Sequence, residues 1–518
     1  MDHQPTDIDP RVAALLADPA TYGLDPDTKV TRFDTHASAV FLAGDRALKV
    51  KRPVRYSYLD YSTLLKREAA CRAELDVNAP FASALYRGVV AITRDPAGTL
   101  ELGGNGEAVE WAVEMRRFDE TLTLDHLADA GELPASLIQA LAEDVVAGHA
   151  RTPEVDAEAW FTALTGYAAD NRTAFQGTPE LFPAADALRL ATLTEAELAQ
   201  CRGLILDRGR HGLVRHCHGD LHLGNVALVD GRPLPFDAIE FDPLIASGDV
   251  LYELAFLLMD LLARGRAFSA TLLLNQYLFA TGRDDDLDAL KALPLFLSMR
   301  AQIRAKVAAA RRGLTTGSAA AAATSDSGRY FRLALKAITP PHPHLLIVAG
   351  LSGTGKSSVA HAVAGRLPPL PGALIERSDV ERKRLYGVAL TDRLPAAAYT
   401  PEFTAKVYRR LATRTQRALE ASHSVVVDAV FAKPEERAEI SALGAACGVP
   451  ARGIWLEAPL KVRLARVASR HGDASDADAR VIAMQEELET GPLDWPRINA
   501  DGPLDVVVER AFAALDDQ

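Results

Sequence analysis

The eight residues Gly350-Leu-Ser-Gly-Thr-Gly-Lys-Ser357 restrict the fold more than any other part of this 518-residue chain. They fit the pattern G-x-x-x-x-G-K-S. The apolar run before them, HLLIVA, reads as a buried parallel strand, and Ser358 to Leu367 reads as the helix that follows. A strand that turns through glycines into a helix brings backbone N–H groups and the positive end of the helix dipole to one point, which makes a cradle for phosphate. In that geometry Gly350, Gly353, Thr354 and Gly355 shape the loop and Ser358 opens the helix. Lys356 reaches toward the outer phosphates, and the Ser357 hydroxyl faces Mg²⁺. Downstream, Ser424-Val-Val-Val-Asp428 is a short apolar strand ending in a carboxylate, which suits Asp428 as a second metal ligand. Residues 344–518 are therefore expected to form an α/β domain with a parallel sheet.

That domain occupies only a third of the chain, and a length of 518 residues is usually divided among about two to four cores. Apolar residues make up 48% and charged residues 24%, the balance of a soluble globular protein. The start, MDHQPTDIDP, lacks the basic n-region of a signal peptide, and the apolar stretch 251–262 is broken by Glu253 and Asp260. Four scattered cysteines without a C-x-x-C pair favour reduced thiols and a cytoplasmic setting. Almost all of the net charge of −12 lies before residue 344, which suits a cationic substrate better than nucleic acid and is also ordinary solubility charge.

Residues 313–328, GLTTGSAAAAATSDSG, have low complexity and precede PPHPH, so 313–343 is expected to be a linker. Before it, residues 1–118 carry strand-like runs at Val40–Leu42, Arg46–Lys51, Val89–Thr93 and Val109–Met115, with a helical pattern at Leu64–Leu75. Residues 119–312 are mostly amphipathic helical patterns. A small sheet-rich lobe followed by a larger helical lobe suits a nucleotide held between the two.

The helical part contains His218-Gly-Asp-Leu-His-Leu-Gly-Asn225 and, after it, Phe236-Asp-Ala-Ile-Glu-Phe-Asp-Pro243. Asp220 and Asn225 have the spacing of base and metal ligand in a kinase catalytic loop, and Asp237 ends a further apolar run. Here the sequence resembles the aminoglycoside phosphotransferase family. The resemblance implies an α+β bilobal, protein-kinase-like fold with Asp220 as catalytic base and Asn225 and Asp237 as Mg²⁺ ligands. Upstream, Ala47-Leu-Lys-Val-Lys51 looks like the strand bearing the ATP lysine. Lys49 and Lys51 share one strand face, so period alone does not choose between them, and the family pattern favours Lys49. The same resemblance makes Glu68 its ion-pair partner and Glu114–Phe118, with Met115, the hinge that receives adenine. Thr35–Ala39 takes the place of a glycine-rich loop without its glycines. His216, Cys217, His218 and His222 are close enough for zinc, although the kinase motif already accounts for them.

In the last third, Asp379-x-x-Arg382 resembles the acceptor site of small P-loop kinases of the gluconate-kinase and zeta-toxin type. The aspartate would face the acceptor hydroxyl as the catalytic group, and the arginine would hold the substrate. Arg463, Arg466 and Arg470 look like the lid arginines of such kinases, with Arg466 and Arg470 directed at ATP. Lys406, Arg410, Arg414 and Arg417 fall on one helical face, either to meet an anionic substrate or to face solvent. The order of modules matches bifunctional aminoglycoside phosphotransferase/ATP-binding proteins. It implies a tandem phosphotransferase that moves the γ-phosphoryl group of ATP to small-molecule hydroxyls, with no membrane or nucleic-acid partner expected. The alternative is one active kinase governed by a P-loop switch.

Overall fold

A computed structural model describes residues 7–56, 58–469 and 474–516. The chain forms two compact units, one of residues 1–170 and 202–260, the other of residues 171–201 and 261–518.

In the first unit β1 (Thr31–Asp34), β2 (Ser38–Ala43), β3 (Arg46–Lys51), β4 (Tyr86–Arg94), β5 (Leu100–Leu102) and β6 (Glu107–Arg116) build an antiparallel sheet in the order β1-β2-β3-β6-β4-β5. The four strand-like runs are β2, β3, β4 and β6. The sheet also has two edge strands, β1 and β5, which are only four and three residues long and half exposed, so they leave little periodic signal. Alternation along β2 and β3 puts Phe41, Leu48 and Val50 into a core with Ile92, while Leu42 and Ala47 join Leu85 and Met115 in another. Helix α1 (Leu64–Ala82), started by the Thr63 side chain accepting from the Lys66 N–H, packs on β6 and β4.

The second unit is organised on a parallel sheet of β7 (Leu345–Gly350), β8 (Leu374–Arg377), β9 (Val425–Asp428), β10 (Ala451–Glu457) and β11 (Arg497–Asn499), in the order β8-β9-β7-β10-β11. Leu346, Val348, Val426, Ile454 and Leu456 are buried in it against Val359 and Val363 of the helix after the glycine loop and Val508 of the last helix. Near-continuous burial along β7 and β9 is what a sheet covered on both faces requires.

The structure differs from the sequence reading at three points of organisation. Residues 313–343 are not a linker: Gly317–Ile338 is a helix that buries Ala323, Tyr330, Phe331, Ala334 and Ala337 against Leu293–Leu314 and its surroundings. Phe331 meets Phe175 and Phe182 with ring centroids 5.3 and 5.0 Å away. Low complexity misled because five of the residues, Ala319–Ala323, are the strongest helix formers. Second, residues 171–201 and 261–312, read from the sequence as part of the helical lobe, group with the parallel sheet in the second compact unit. Asn275, on the helix Ala267–Thr281, explains part of this. Its amide donates to Ala373 O and accepts from Ile375 N–H at 2.7 Å, covering the free edge of β8 as a further strand would. Third, the basic stripe divides: Lys406 is exposed, whereas its three arginines meet acidic side chains of the same unit. Arg410 makes paired bonds to Asp284, Arg417 to Asp288, and buried Arg414 to Glu376.

Among the described residues no helix is long and apolar enough to cross a membrane, and all four cysteines are free thiols.

Candidate active sites

In the first unit a short antiparallel pair, Val214–His216 with Ser247–Asp249, delivers the chain to His218-Gly-Asp220. Buried His218 donates from Nε2 to Phe236 O at 2.9 Å, and burial lowers its pKa. The Gly219 N–H donates to the Glu253 carboxylate at 2.9 Å. A 3₁₀ turn over Leu223–Asn225 then leads into the hairpin Val226–Val229/Arg232–Pro235, closed by Asp230-Gly231 with φ of 51° and 77°. An Asp-Gly pair adopts these positive φ values readily, and the tight turn sets the register.

Register is what assembles the site. Val226 pairs with Pro235, so both ends of the hairpin meet, and the Phe236 N–H donates to Asn225 O at 2.9 Å. Asn225 Nδ2 also donates to Asp220 Oδ2 at 3.1 Å. Asp220 is 39% exposed at its side chain. Asp237 follows Phe236 with φ of 63°, a left-handed conformation that aspartate tolerates better than most residues.

Lys49 of β3 links the sheet to this segment, donating to Asp237 Oδ1 at 2.5 Å and to Glu74 Oε1 at 2.9 Å. Burial opposes the Lys49 charge, but Asp237 and Glu74 raise its pKa well above the usual range, and Lys49 lowers that of Asp237. The partner of Lys49 is therefore Glu74 and not Glu68, which is bound to Arg72 on the exposed side of α1. Lys51 shares Glu74 from the same strand face and pairs in addition with Glu240. Neither Glu74 nor Glu240 carried a motif signal; the strand period that puts both lysines on one face was the available clue.

Met115 is the last residue but one of β6, with its side chain in the core cluster of Leu42, Ala47 and Leu85. The next two amides are occupied, Arg116 N–H by Leu85 O and Arg117 N–H by Asp45 O. A cavity of about 420 Å³ opens beside them, lined by Gly44, Arg117, Phe118, Asp119 and Glu120. Thr35 ties off the β1–β2 turn by accepting the Ser38 N–H at 2.9 Å. The four residues considered for zinc are separated: His218 holds Phe236 and His222 Nδ1 accepts the Gly224 N–H. Cys217 instead lies with His149 and Glu253, their ligand atoms within 4.8 Å of one another.

In the second unit the glycine loop has the form its motif predicts. Gly350, Gly353 and Gly355 take φ of 139°, 82° and 93°, and α2 (Lys356–Ala364) starts at the lysine. A Cβ on Gly350 would lie 2.5 Å from Leu456 O, and one on Gly353 2.8 Å from Arg463 O, so close backbone approach requires both glycines. The Thr354 hydroxyl donates to Leu351 O, and Lys356 Nζ reaches Leu351 O at 3.2 Å. The Ser357 hydroxyl donates to Asp428 Oδ2 at 2.6 Å. Arg377, which the sequence reading missed, donates to both the Ser357 Oγ and Asp428, because parallel register places it beside Asp428.

Gly353, Gly355, Lys356, Ser357, Asp379, Arg382 and Asp428 line one cavity of about 610 Å³. Asp379 lies in the first turn of α3 (Ser378–Tyr386). Arg382 is held by Ala398 O and Thr404 Oγ1 and lies over the Tyr399 ring. Ser358 is exposed and is not among the residues lining the cavity.

The arginines expected as a lid have divided roles. Arg463 is buried and donates to Ser352 O and Glu486, so it braces the loop from behind. Arg466 donates to Thr354 O at 3.1 Å and Ala500 O at 2.8 Å. Arg470 lies outside the described residues. Gln485 accepts the Ser352 N–H at 2.7 Å, a contact no sequence pattern announced.

Residues 345–490 match the family model described as AAA domain. Over 490 residues the chain is 29% identical to an uncharacterized protein of Mycobacterium tuberculosis, covering 92% of this chain and 94% of that one. Among solved structures, a choline/ethanolamine kinase family protein from Mesorhizobium loti is similar over 62% of this chain and 99% of its own, at 15% identity and TM-score 0.35. A sugar kinase from Janibacter sp. is similar over 34% of this chain and 95% of its own, at 23% identity and TM-score 0.27. Scores this low leave each site to be read from its own residues.

The donor sets suit magnesium in both units. Asn225 and Asp237 in one, and Ser357 and Asp428 in the other, offer hard oxygen ligands of the kind that ion takes.

Proposed function

We propose that the chain is a tandem ATP-dependent phosphotransferase, with each unit transferring a γ-phosphoryl group to a hydroxyl of a small molecule such as a sugar, amino sugar or similar alcohol. In the first unit Asp220 takes the proton of the acceptor hydroxyl, Lys49 meets the phosphates, and Asn225 and Asp237 hold Mg²⁺. The hinge around Met115 and the adjoining cavity receive the base. In the second unit the Gly350–Gly355 loop and Lys356 cradle the phosphates, Ser357 and Asp428 hold the ion, and Asp379 faces the acceptor that Arg382 orients. Bound Mg²⁺ would offset charge on the transferring group in either site.

The observation that carries this reading is Asp379, which lines the same cavity as Lys356. A domain that only switched with ATP would have no use for a second carboxylate facing the phosphate loop. The test is a panel of sugars, amino sugars and small alcohols with ATP, run on the intact chain and on Asp220→Ala and Asp379→Ala. Each substitution is expected to lower turnover of a different acceptor by about 10²–10⁴-fold while ATP still binds. Full turnover of every acceptor in Asp379→Ala would leave the second unit as a switch.

A further inference from the structure

Asp237 is the most conditional of the proposed metal ligands. Its side chain is 48% exposed, its backbone is left-handed, and its carboxylate is already engaged by Lys49. To bind an ion it has to offer an oxygen beside that partner or in its place, with its backbone held still. What keeps the backbone still is therefore part of the site.

The segment is tied down at each residue. The Asp237 N–H donates to the Tyr86 hydroxyl at 3.1 Å, the Ala238 N–H to Asn78 Oδ1 at 3.0 Å, and the Ile239 N–H to His218 O at 2.9 Å. At its end Glu240 is held in a sealed ion pair with Lys51. Lys51 and Glu240 have side chains 2% and 7% exposed, against 13% and 48% for Lys49 and Asp237. Glu240 Oε1 also accepts the Tyr61 hydroxyl at 2.6 Å. Tyr61 is itself fixed, its carbonyl accepting from Arg67, which is held in turn by Glu110. The two lysines therefore join β3 to residues 237–240 by two rungs, with Glu74 between them accepting from both. One rung is open to exchange and the other is not.

We infer that Lys51 and Glu240 are positioning residues for metal binding: a permanent rung that holds Asp237 in register while Lys49 meets phosphate and Asp237 takes up Mg²⁺. This rests on the ATP-site reading of the first unit.

The test uses the full chain carrying Lys356→Ala, so that the second unit contributes no nucleotide signal. Mn²⁺ serves as a paramagnetic stand-in for Mg²⁺, titrated by electron paramagnetic resonance in the presence of a non-hydrolysable ATP analogue. Glu240→Gln is expected to raise the Mn²⁺ concentration at half-saturation by about 10–100-fold, the range found when groups that orient metal ligands are removed. Its affinity for the analogue in EDTA should stay within about twofold. Lys51→Met and the double variant should show the same shift as Glu240→Gln, since the pair acts as a unit. Tyr61→Phe, which keeps the charges, should give a smaller shift in the same direction and decides the matter if Glu240→Gln does not fold. Unchanged Mn²⁺ binding in these variants, or an equal loss of metal-free nucleotide affinity, overturns the inference. No analogue bound by Lys356→Ala alone would instead refute the ATP-site reading itself.

Discussion

At the scale of single residues, Glu74 has the most demanding position. Its side chain is fully buried and each of its oxygens faces a different lysine. Removing one member of a buried ionic cluster leaves uncompensated charge and costs about 3–5 kcal/mol, whereas an exposed helical pair contributes about 0.5 kcal/mol or less. Glu74→Gln should therefore shift the urea unfolding of the first unit by several kcal/mol, and Glu68→Gln should hardly move it. Equal effects would mean that the lysines do not depend on Glu74. His423 supplies a pH prediction in the other unit. It is buried, donates to Gly372 O, and burial lowers its pKa to about 4. The unfolded chain takes up a proton near pH 6.5 that the folded chain refuses until about pH 4. Stability contributed at this position is thus present above pH 6.5 and lost as pH falls toward 4, by at most about 3 kcal/mol. His423→Gln should flatten that part of the stability-versus-pH curve relative to the parent. An unchanged slope would show that His423 titrates normally.

At the scale of elements, the helix Gly317–Ile338 is the informative case. Its alanine run carries the propensity, but its place is set by Tyr330, Phe331 and Ile338, which are buried in the second unit. Phe331→Ala should cost about 3–5 kcal/mol in the unfolding of that unit, as large aromatic truncations in cores do. A tether would tolerate the change without loss, so the two descriptions of this segment separate in one denaturation curve. The hairpin Val226–Pro235 makes the opposite point. Its Asp230-Gly231 turn is visible in the chain as written, and once it closes, the approach of Asn225 to Phe236 follows from strand register alone.

For the whole molecule, the decisive count is the number of nucleotides bound. Two independent sites predict two ATP analogues per chain by calorimetric titration, with one remaining in Lys356→Ala and one in Asp237→Ala. If Lys356→Ala abolished all binding, the first unit would not be a nucleotide site and the chain would hold one kinase. The division of the chain bears on how such variants are made. Truncation near residue 340 would separate residues 171–201 and 261–338 from the parallel sheet with which they fold, including the Asn275 cover on the edge of β8. Substitution in the intact chain is the sounder comparison.

Sequence alone determined what contiguous residues can encode. The glycine loop is one run of chain whose geometry follows from its own φ preferences, and the helix and strand on either side of it are set by local apolar pattern. The same holds for the spacing of Asp220 and Asn225 and for the strands β2, β3, β4 and β6. Tertiary structure decided every question of partnership. Glu68 and Glu74 are six residues apart on one helix, so they point about 120° away from each other. Only the docking of α1 on the sheet selects which of them meets Lys49. The arginines of Pro401–Glu420 read equally well as substrate-facing or solvated until Asp284, Asp288 and Glu376 are brought against them from distant parts of the chain. Periodicity specifies that a face is charged or apolar, and only the packing of faces specifies what it meets.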